Sequence, residues 1–357
     1  MVARVALSQY VTLMLPLEKR LGVAIPRVAL GRFPTPVETH PELARELGFA
    51  SLSIKREDKS ARDGPGGNKL RALEWILPGA GSWIVSMGGY GSTYVAALSF
   101  YAQRRKQHVA VGLFPQPWVG SVPGTFAATE SRARVFLADA KWKLPFAVIR
   151  AWRHASRFGR PTWVPAGGAN PLGVLGGVNA ALEFWEQVKA GEVAKPDVIV
   201  APLGSGGTIA GLILGSWIAG QDVTLCGVRV ADPIVANRWQ VDRLMAGTRR
   251  LLRNAGLEVR PGSARIRVLT GFLGGGYGSP TPAARAAAQR VSGYNLALEQ
   301  TYGAKAFAAL EALRGSYHAP CFWNTFDPQI AIAPEDTPLL RRARVTAEFL
   351  WPHPTLT

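Results

Sequence analysis

Residues 197–217 read DVIVAPLGSGGTIAGLILGSW, and the order of residue types in this stretch decides the fold. Asp197–Pro202 is a short apolar run with β-branched residues, suited to a buried strand that ends at Leu203. Gly204, Ser205, Gly206 and Gly207 form a turn, and Thr208–Trp217 has the composition of an apolar helix. The same alternation recurs on either side. Ser82–Met87 precedes a helical Ser92–Arg104, Val109–Leu113 follows, and Thr224–Val230 lies beyond the 208–217 helix. Strands alternating with helices predict an α/β protein whose sheets are mostly parallel and flanked by helices. No internal repeat is present.

The turn also carries chemistry. Its glycines let backbone N–H groups converge, the following helix start contributes a favourable dipole, and Ser205 and Thr208 add hydroxyls. That is a cradle for a phosphate, although the same residues also fit a plain structural turn. The GK[ST] ending of a nucleotide P-loop and the GxGxxG of a dinucleotide fold are both missing, so a phosphate is implied and a nucleotide is not.

Upstream lies GPGGNKLRALEW, residues 64–75, in which Lys69 follows Gly66, Gly67 and Asn68 at the mouth of a helical segment. A lysine taken alone belongs on the surface. Here the tight turn presents the amine toward a cleft, and a desolvated or cationic site lowers an amine's pKa enough to make it a nucleophile. A reactive amine and a phosphate cradle together suit a cofactor bearing an aldehyde and a phosphate, and pyridoxal phosphate has both. Ser92 stands just after Gly88, Gly89 and Gly91 at another helix start. It is either a side chain offered to the cleft or the N-cap of that helix.

Size and composition set the limits. A chain of 357 residues, 48% hydrophobic, can bury a large core and is expected to hold two domains. Glycine- and proline-rich stretches at 112–124, 161–177 and 271–282 read as functional loops or crossings between domains. Residues 73–164 are predicted to form a smaller domain inserted into a larger one built from 1–72 and 165–357. The apolar runs 198–203 and 209–218 are too short for a membrane span, and Val11–Leu15 lacks the flanks of a signal peptide. The expectation is a soluble cytoplasmic protein. Cys226 and Cys321 are the only cysteines, without CxxC or Cys/His spacing, and the five histidines are scattered, so neither a metal site nor a disulfide framework is predicted.

The formal charge of +17 comes mainly from 31 arginines. Between Arg104 and Arg160 there are eleven Lys/Arg and two acids. This segment can attract an anionic partner or remain a solvated basic face. No nucleic-acid-binding motif accompanies the charge, and nucleic acid is not expected as a partner.

Six segments occur in a telling order: GRFPTPVETHPELARELG, SIKREDKS, GGNKLRALEW, VPAGGANPLGVLGG, APLGSGGTIAGL and LGGGYGSPT. From about Leu30 to Asp327 the chain resembles the fold-type II, tryptophan synthase β-like, pyridoxal phosphate enzymes. More narrowly, it is similar to the D-cysteine desulfhydrase and 1-aminocyclopropane-1-carboxylate deaminase group. The resemblance implies two domains, each a mostly parallel twisted sheet flanked by helices, and a homodimer. It implies that Lys69 forms the Schiff base with pyridoxal 5'-phosphate, beside Asn68, and that Gly204, Ser205, Gly206, Gly207 and Thr208 hold the phosphate. Ser92 matches the serine near the substrate, and Thr93 stands where an asparagine normally faces the cofactor. Tyr277 and Tyr302 match two tyrosines on the substrate side, and Thr325 matches a hydroxyl facing the pyridine nitrogen.

Several residues depart from that pattern. Tyr94 replaces a histidine or glutamine, Glu299 an aspartate, and Gln300 a proline. Gly303 takes the place after Tyr302, and Phe326 and Asp327 take the places of two glycines. The implied activity is that of a lyase or deaminase acting on a small amino acid. Three alternatives on the same scaffold are β-replacement, racemisation, and cofactor binding with altered activity.

Overall fold

The computed structural model describes residues 14–352, so most of the Val11–Leu15 run lies outside the described residues. Two sheets organise the chain. The larger contains β1 (Val37–Thr39), β2 (Ser53–Arg56), β7 (Val198–Leu203), β8 (Thr224–Arg229), β9 (Arg265–Leu269) and β10 (Pro320–Asn324), in the spatial order β1-β2-β10-β7-β8-β9. Only the β1–β2 pair is antiparallel; the remaining pairs are parallel. The smaller sheet holds β3 (Trp83–Gly89), β4 (His108–Phe114), β5 (Arg134–Leu137) and β6 (Thr162–Trp163), ordered β5-β4-β3-β6 and wholly parallel.

Eleven α-helices among the described residues cover these sheets. They are α1 (Pro41–Leu47), α2 (Asn68–Ile76), α3 (Thr93–Arg104), α4 (Val122–Glu130), α5 (Leu144–Ala155), α6 (Pro171–Lys189), α7 (Gly207–Ile218), α8 (Arg238–Asn254), α9 (Pro282–Val291), α10 (Gly303–Ala308) and α11 (Pro338–Leu350). The strand, turn and helix expected from residues 197–217 are β7 and α7, and β3, α3, β4 and β8 fall where the alternation places them. The α/β architecture with mostly parallel sheets is therefore what the chain adopts.

Why these elements meet as they do is legible in the small residues of α6. A Cβ added at Gly211 of α7 would lie 2.5 Å from the Gly177 Cα, and one added at Gly176 would lie 2.4 Å from the backbone of Arg71 in α2. Glycine at these positions lets three helix backbones approach more closely than side chains permit. The result is that α2, which carries Lys69, and α7, which follows the glycine turn, are both pressed against α6. Buried leucines, isoleucines and valines of α6, α7 and β7 then form one continuous core with Trp75, Phe184 and Trp323.

The second core belongs to the smaller sheet, where Val95, Leu98, Val111, Leu113 and Phe126 are fully buried. Leu340, Ala343 and Ala347 on one face of α11 join it. The α11 helix thus packs on α4 at the edge of this core, with Thr337 donating its hydroxyl to Glu130 at 2.6 Å.

Among the described residues no helix is long and apolar enough to cross a membrane. Cys226 and Cys321 are buried, unbonded thiols on β8 and β10, and burial raises both to about 11.

Candidate active site

The C-terminal ends of β3, β7 and β10 open onto one cavity of about 280 Å³. This is where parallel α/β sheets place ligands, because the loops leaving the strands and the N-termini of the following helices converge there. Asn68, Lys69, Ser92, Thr93, the turn from Gly204 to Thr208, Tyr277, Tyr302 and Thr325 all line it. Segments as far apart in sequence as α2 and β10 are brought to one wall.

Lys69 is the second residue of α2. Gly67 precedes the helix at φ +86°, a conformation that suits glycine, and a Cβ there would lie 2.7 Å from the Thr325 carbonyl. The backbone N–H of Asn68 donates to that same carbonyl at 3.2 Å. Burial lowers the Lys69 amine to about 8, so its neutral fraction near neutral pH is far larger than that of an ordinary lysine.

The turn after β7 has Gly206 in the left-handed region at φ +88° as the N-cap of α7, and no side chain caps that helix. Its first-turn N–H groups therefore have no side-chain acceptor, which is the arrangement a phosphate dianion satisfies. The Asn68 carboxamide donates to Thr208 Oγ1 at 2.8 Å, fastening α2 to this turn. A Cβ placed on Gly167 would lie 2.4 Å from Ser205 Oγ and 3.8 Å from Lys69 Nζ. The space between amine and turn is thus kept open by glycine. A desolvated amine, an uncapped helix start and that glycine gap fit pyridoxal phosphate.

Ser92 is the N-cap of α3, its Oγ accepting from the Val95 N–H at 3.3 Å, and it also borders the cavity. Both readings of this serine hold together, since one lone pair serves the cap while the hydroxyl stays at the wall. Thr93 begins α3. Tyr277 and Tyr302 meet hydroxyl to hydroxyl with their rings edge to face at 5.7 Å. Burial raises both phenols, leaving them protonated and able to donate.

The departures from the family pattern have physical roles here. Asp327 accepts from the Gly66 N–H at 2.7 Å and the Gln329 N–H at 2.9 Å, so it pins the turn before Lys69. Phe326 is buried in the smaller core. Glu299 accepts from the N–H groups of Thr301, Tyr302 and Gly303 at 2.6, 2.8 and 2.7 Å, fixing the segment that carries Tyr302.

Three charged wall residues were not predicted as site residues: Glu299, Lys141 and Asp232. Glu299 was visible only as a substitution, and nothing local singled out the other two. Behind the site lies a buried charge cluster that sequence reading also missed. The Arg71 guanidinium bonds both Glu183 oxygens at 2.9 Å and also grips Glu57, while Lys55 donates to Glu183, Gln187 and the Thr35 carbonyl. Burial pushes the Glu183 carboxyl up, but Arg71 and Lys55 together outweigh it and hold it low. Among the described residues, no group of three or more His, Cys, Asp or Glu side chains is placed to hold a metal ion.

Comparison with known proteins identifies the family. The pattern of the pyridoxal-phosphate dependent enzyme family matches residues 28–320. A putative 1-aminocyclopropane-1-carboxylate deaminase of Pyrococcus abyssi is 29% identical over 255 residues, covering 68% of this chain and 73% of that protein. A D-cysteine desulfhydrase of Salmonella paratyphi B is 29% identical over 298 residues, covering 80% and 87%. The crystal structure of an ACC deaminase homologue superposes with a TM-score of 0.70 at 27% identity, covering 85% of this chain and 92% of that one. With the matched region spanning most of its length, the chain belongs to the pyridoxal-phosphate dependent enzymes, and pyridoxal 5'-phosphate is its cofactor.

Proposed function

We propose that the protein is a lyase or deaminase of a small amino acid, of the D-cysteine desulfhydrase or 1-aminocyclopropane-1-carboxylate deaminase kind. The observation that carries this reading is the shared cavity, in which the Lys69 amine and the α7 turn flank the Gly167 gap while two protonated tyrosines stand on the same wall. The names of the relatives at 29% identity point the same way.

When bound, pyridoxal phosphate supplies an electron sink for charge that develops beside the substrate nitrogen. Lys69 is assigned its attachment, and Gly204–Thr208 its phosphate. Asn68 and Thr93, which line the same cavity, would border the cofactor, and the Thr325 hydroxyl is assigned the ring nitrogen. An amine near 8 can both accept and return a proton at neutral pH, which makes Nζ of Lys69 the proton carrier at the reacting carbon. Ser92, at the start of α3, is placed to orient the substrate, and its hydroxyl can relay that proton. The phenols of Tyr277 and Tyr302, kept protonated by burial, can donate to a leaving group or hold a substrate carboxylate.

Product analysis tests the reaction class. The cofactor-loaded protein is incubated with D- and L-cysteine, D- and L-serine and 1-aminocyclopropane-1-carboxylate. Release of ammonia with a 2-oxo acid is the expected result. Formation of a new amino acid when a thiol is added, or inversion of configuration without ammonia, would replace this reading with β-replacement or racemisation.

A further inference from the structure

The basic stretch between Arg104 and Arg160 contains eleven cations, and Lys141 is the one that lines the cavity. It sits in the short turn after β5, on the smaller sheet. Its ammonium lies 3.1 Å from Oδ2 of Asp232, which follows β8 on the larger sheet. The pair therefore spans from one sheet to the other at the cavity wall.

This pair is easily exchanged. The two side chains are 39% and 47% exposed, and half-exposed ion pairs contribute little to stability. The ammonium has a second reason to stay where it is, because the rings of Phe114 and Tyr277 lie 5.8 and 5.9 Å from it and both face the cavity. Tyr277 is the same ring whose hydroxyl touches Tyr302, so Lys141 stands beside the tyrosine pair. The other wall carboxylate, Glu299, is occupied by three backbone N–H groups and does not compete for the lysine.

We propose that Lys141 is a specificity-determining residue that pairs with a second anionic group, a side-chain carboxylate, on the amino acid held in the cavity, displacing Asp232. This inference rests on the proposed function, since it presupposes an amino-acid substrate in the cavity.

The test is equilibrium binding rather than turnover. The full-length, pyridoxal phosphate-loaded protein is titrated calorimetrically with succinate and with butyrate, which have four carbons each but two carboxylates against one. Wild type is expected to bind succinate about tenfold more tightly, the scale of one charge-assisted hydrogen bond. Lys141→Met should remove that preference, and Asp232→Asn, which frees the ammonium, should tighten succinate several-fold, with butyrate unchanged in both. Both side chains are half-exposed, so both variants are expected to melt as wild type does. Equal affinity for the two acids, or a succinate preference that survives Lys141→Met, overturns the inference. So does a preference for 4-(trimethylammonio)butyrate over butyrate that Asp232→Asn abolishes, since Asp232 would then be reading a cation. Cofactor loading is followed by visible absorbance: a chain that takes up no pyridoxal phosphate contradicts the proposed function and this inference together. A loaded chain indifferent to succinate contradicts this inference alone.

Discussion

Asn68 donates its carboxamide N–H to the hydroxyl of Thr208 at 2.8 Å, joining the helix that carries Lys69 to the helix whose start forms the glycine turn. The two residues are 140 positions apart in sequence. A single neutral hydrogen bond of this kind contributes about 1 kcal/mol. Its greater effect is geometric, because it sets the spacing between the amine and the turn.

Asn68→Ala is therefore expected to weaken pyridoxal phosphate binding by roughly five- to tenfold while lowering stability by only about 1 kcal/mol. Titration of visible absorbance against added cofactor reads the first effect, and a urea melt of the cofactor-free protein reads the second. A melt that collapses while affinity holds would make Asn68 a purely structural residue.

Lys69 gives the cofactor-free protein a pH signature. Burial holds its amine at about 8 instead of the ordinary 10.5, so between those values the unfolded chain binds more protons than the folded one. Stability then rises with pH across that window, the penalty being full below it and absent above it. Lys69→Met removes the buried amine, so the variant should be more stable than wild type at pH 7 and lose that advantage by pH 10.5. Urea midpoints of both proteins at the two pH values check this, and an advantage that does not change with pH would contradict it.

The tyrosine pair is expected to matter for turnover and not for cofactor uptake. Tyr277→Phe and Tyr302→Phe each delete one hydroxyl of a mutual contact, leaving the ring packing in place. Loss of a positioned proton donor lowers kcat by about 100-fold or more, with the visible spectrum of the bound cofactor retained. Because both hydroxyls serve one contact, the double variant should lose little beyond the more damaging single one.

Arg71→Met tests the buried charge cluster. Removing the guanidinium leaves buried Glu57 without its cation and Glu183 with Lys55 alone, and deleting one partner of a buried pair costs about 3–5 kcal/mol. Chemical denaturation should show it at pH 7. Acidification of the wild type should weaken the same cluster as Glu183, held low by Arg71 and Lys55, takes up its proton.

The parts of this molecule that were readable in the sequence are those in which a local pattern has one physical meaning. Glycine turns between an apolar strand and an apolar helix announced β7 with α7, and the turn before Lys69 announced an amine presented from a helix start. What could not be read depends on pairing across the chain. Lys55 and Glu183 are 128 residues apart, and no local feature of either reveals the other. The apolar face of α11 shows that it packs somewhere, but Leu340, Ala343 and Ala347 do not say in which core. Lys141 was one cation among eleven until the fold placed it against Asp232. Asp327, seen in the sequence as the loss of a glycine, proves to anchor Gly66.

The most direct test of the account is attachment of the cofactor. Purified wild type and Lys69→Ala are saturated with pyridoxal phosphate, reduced with borohydride, digested and weighed. The account predicts a visible absorbance band in wild type and a single reduced adduct on the peptide containing Lys69, with neither in the variant. An adduct on another lysine, or a colourless wild type after full reconstitution, would contradict it.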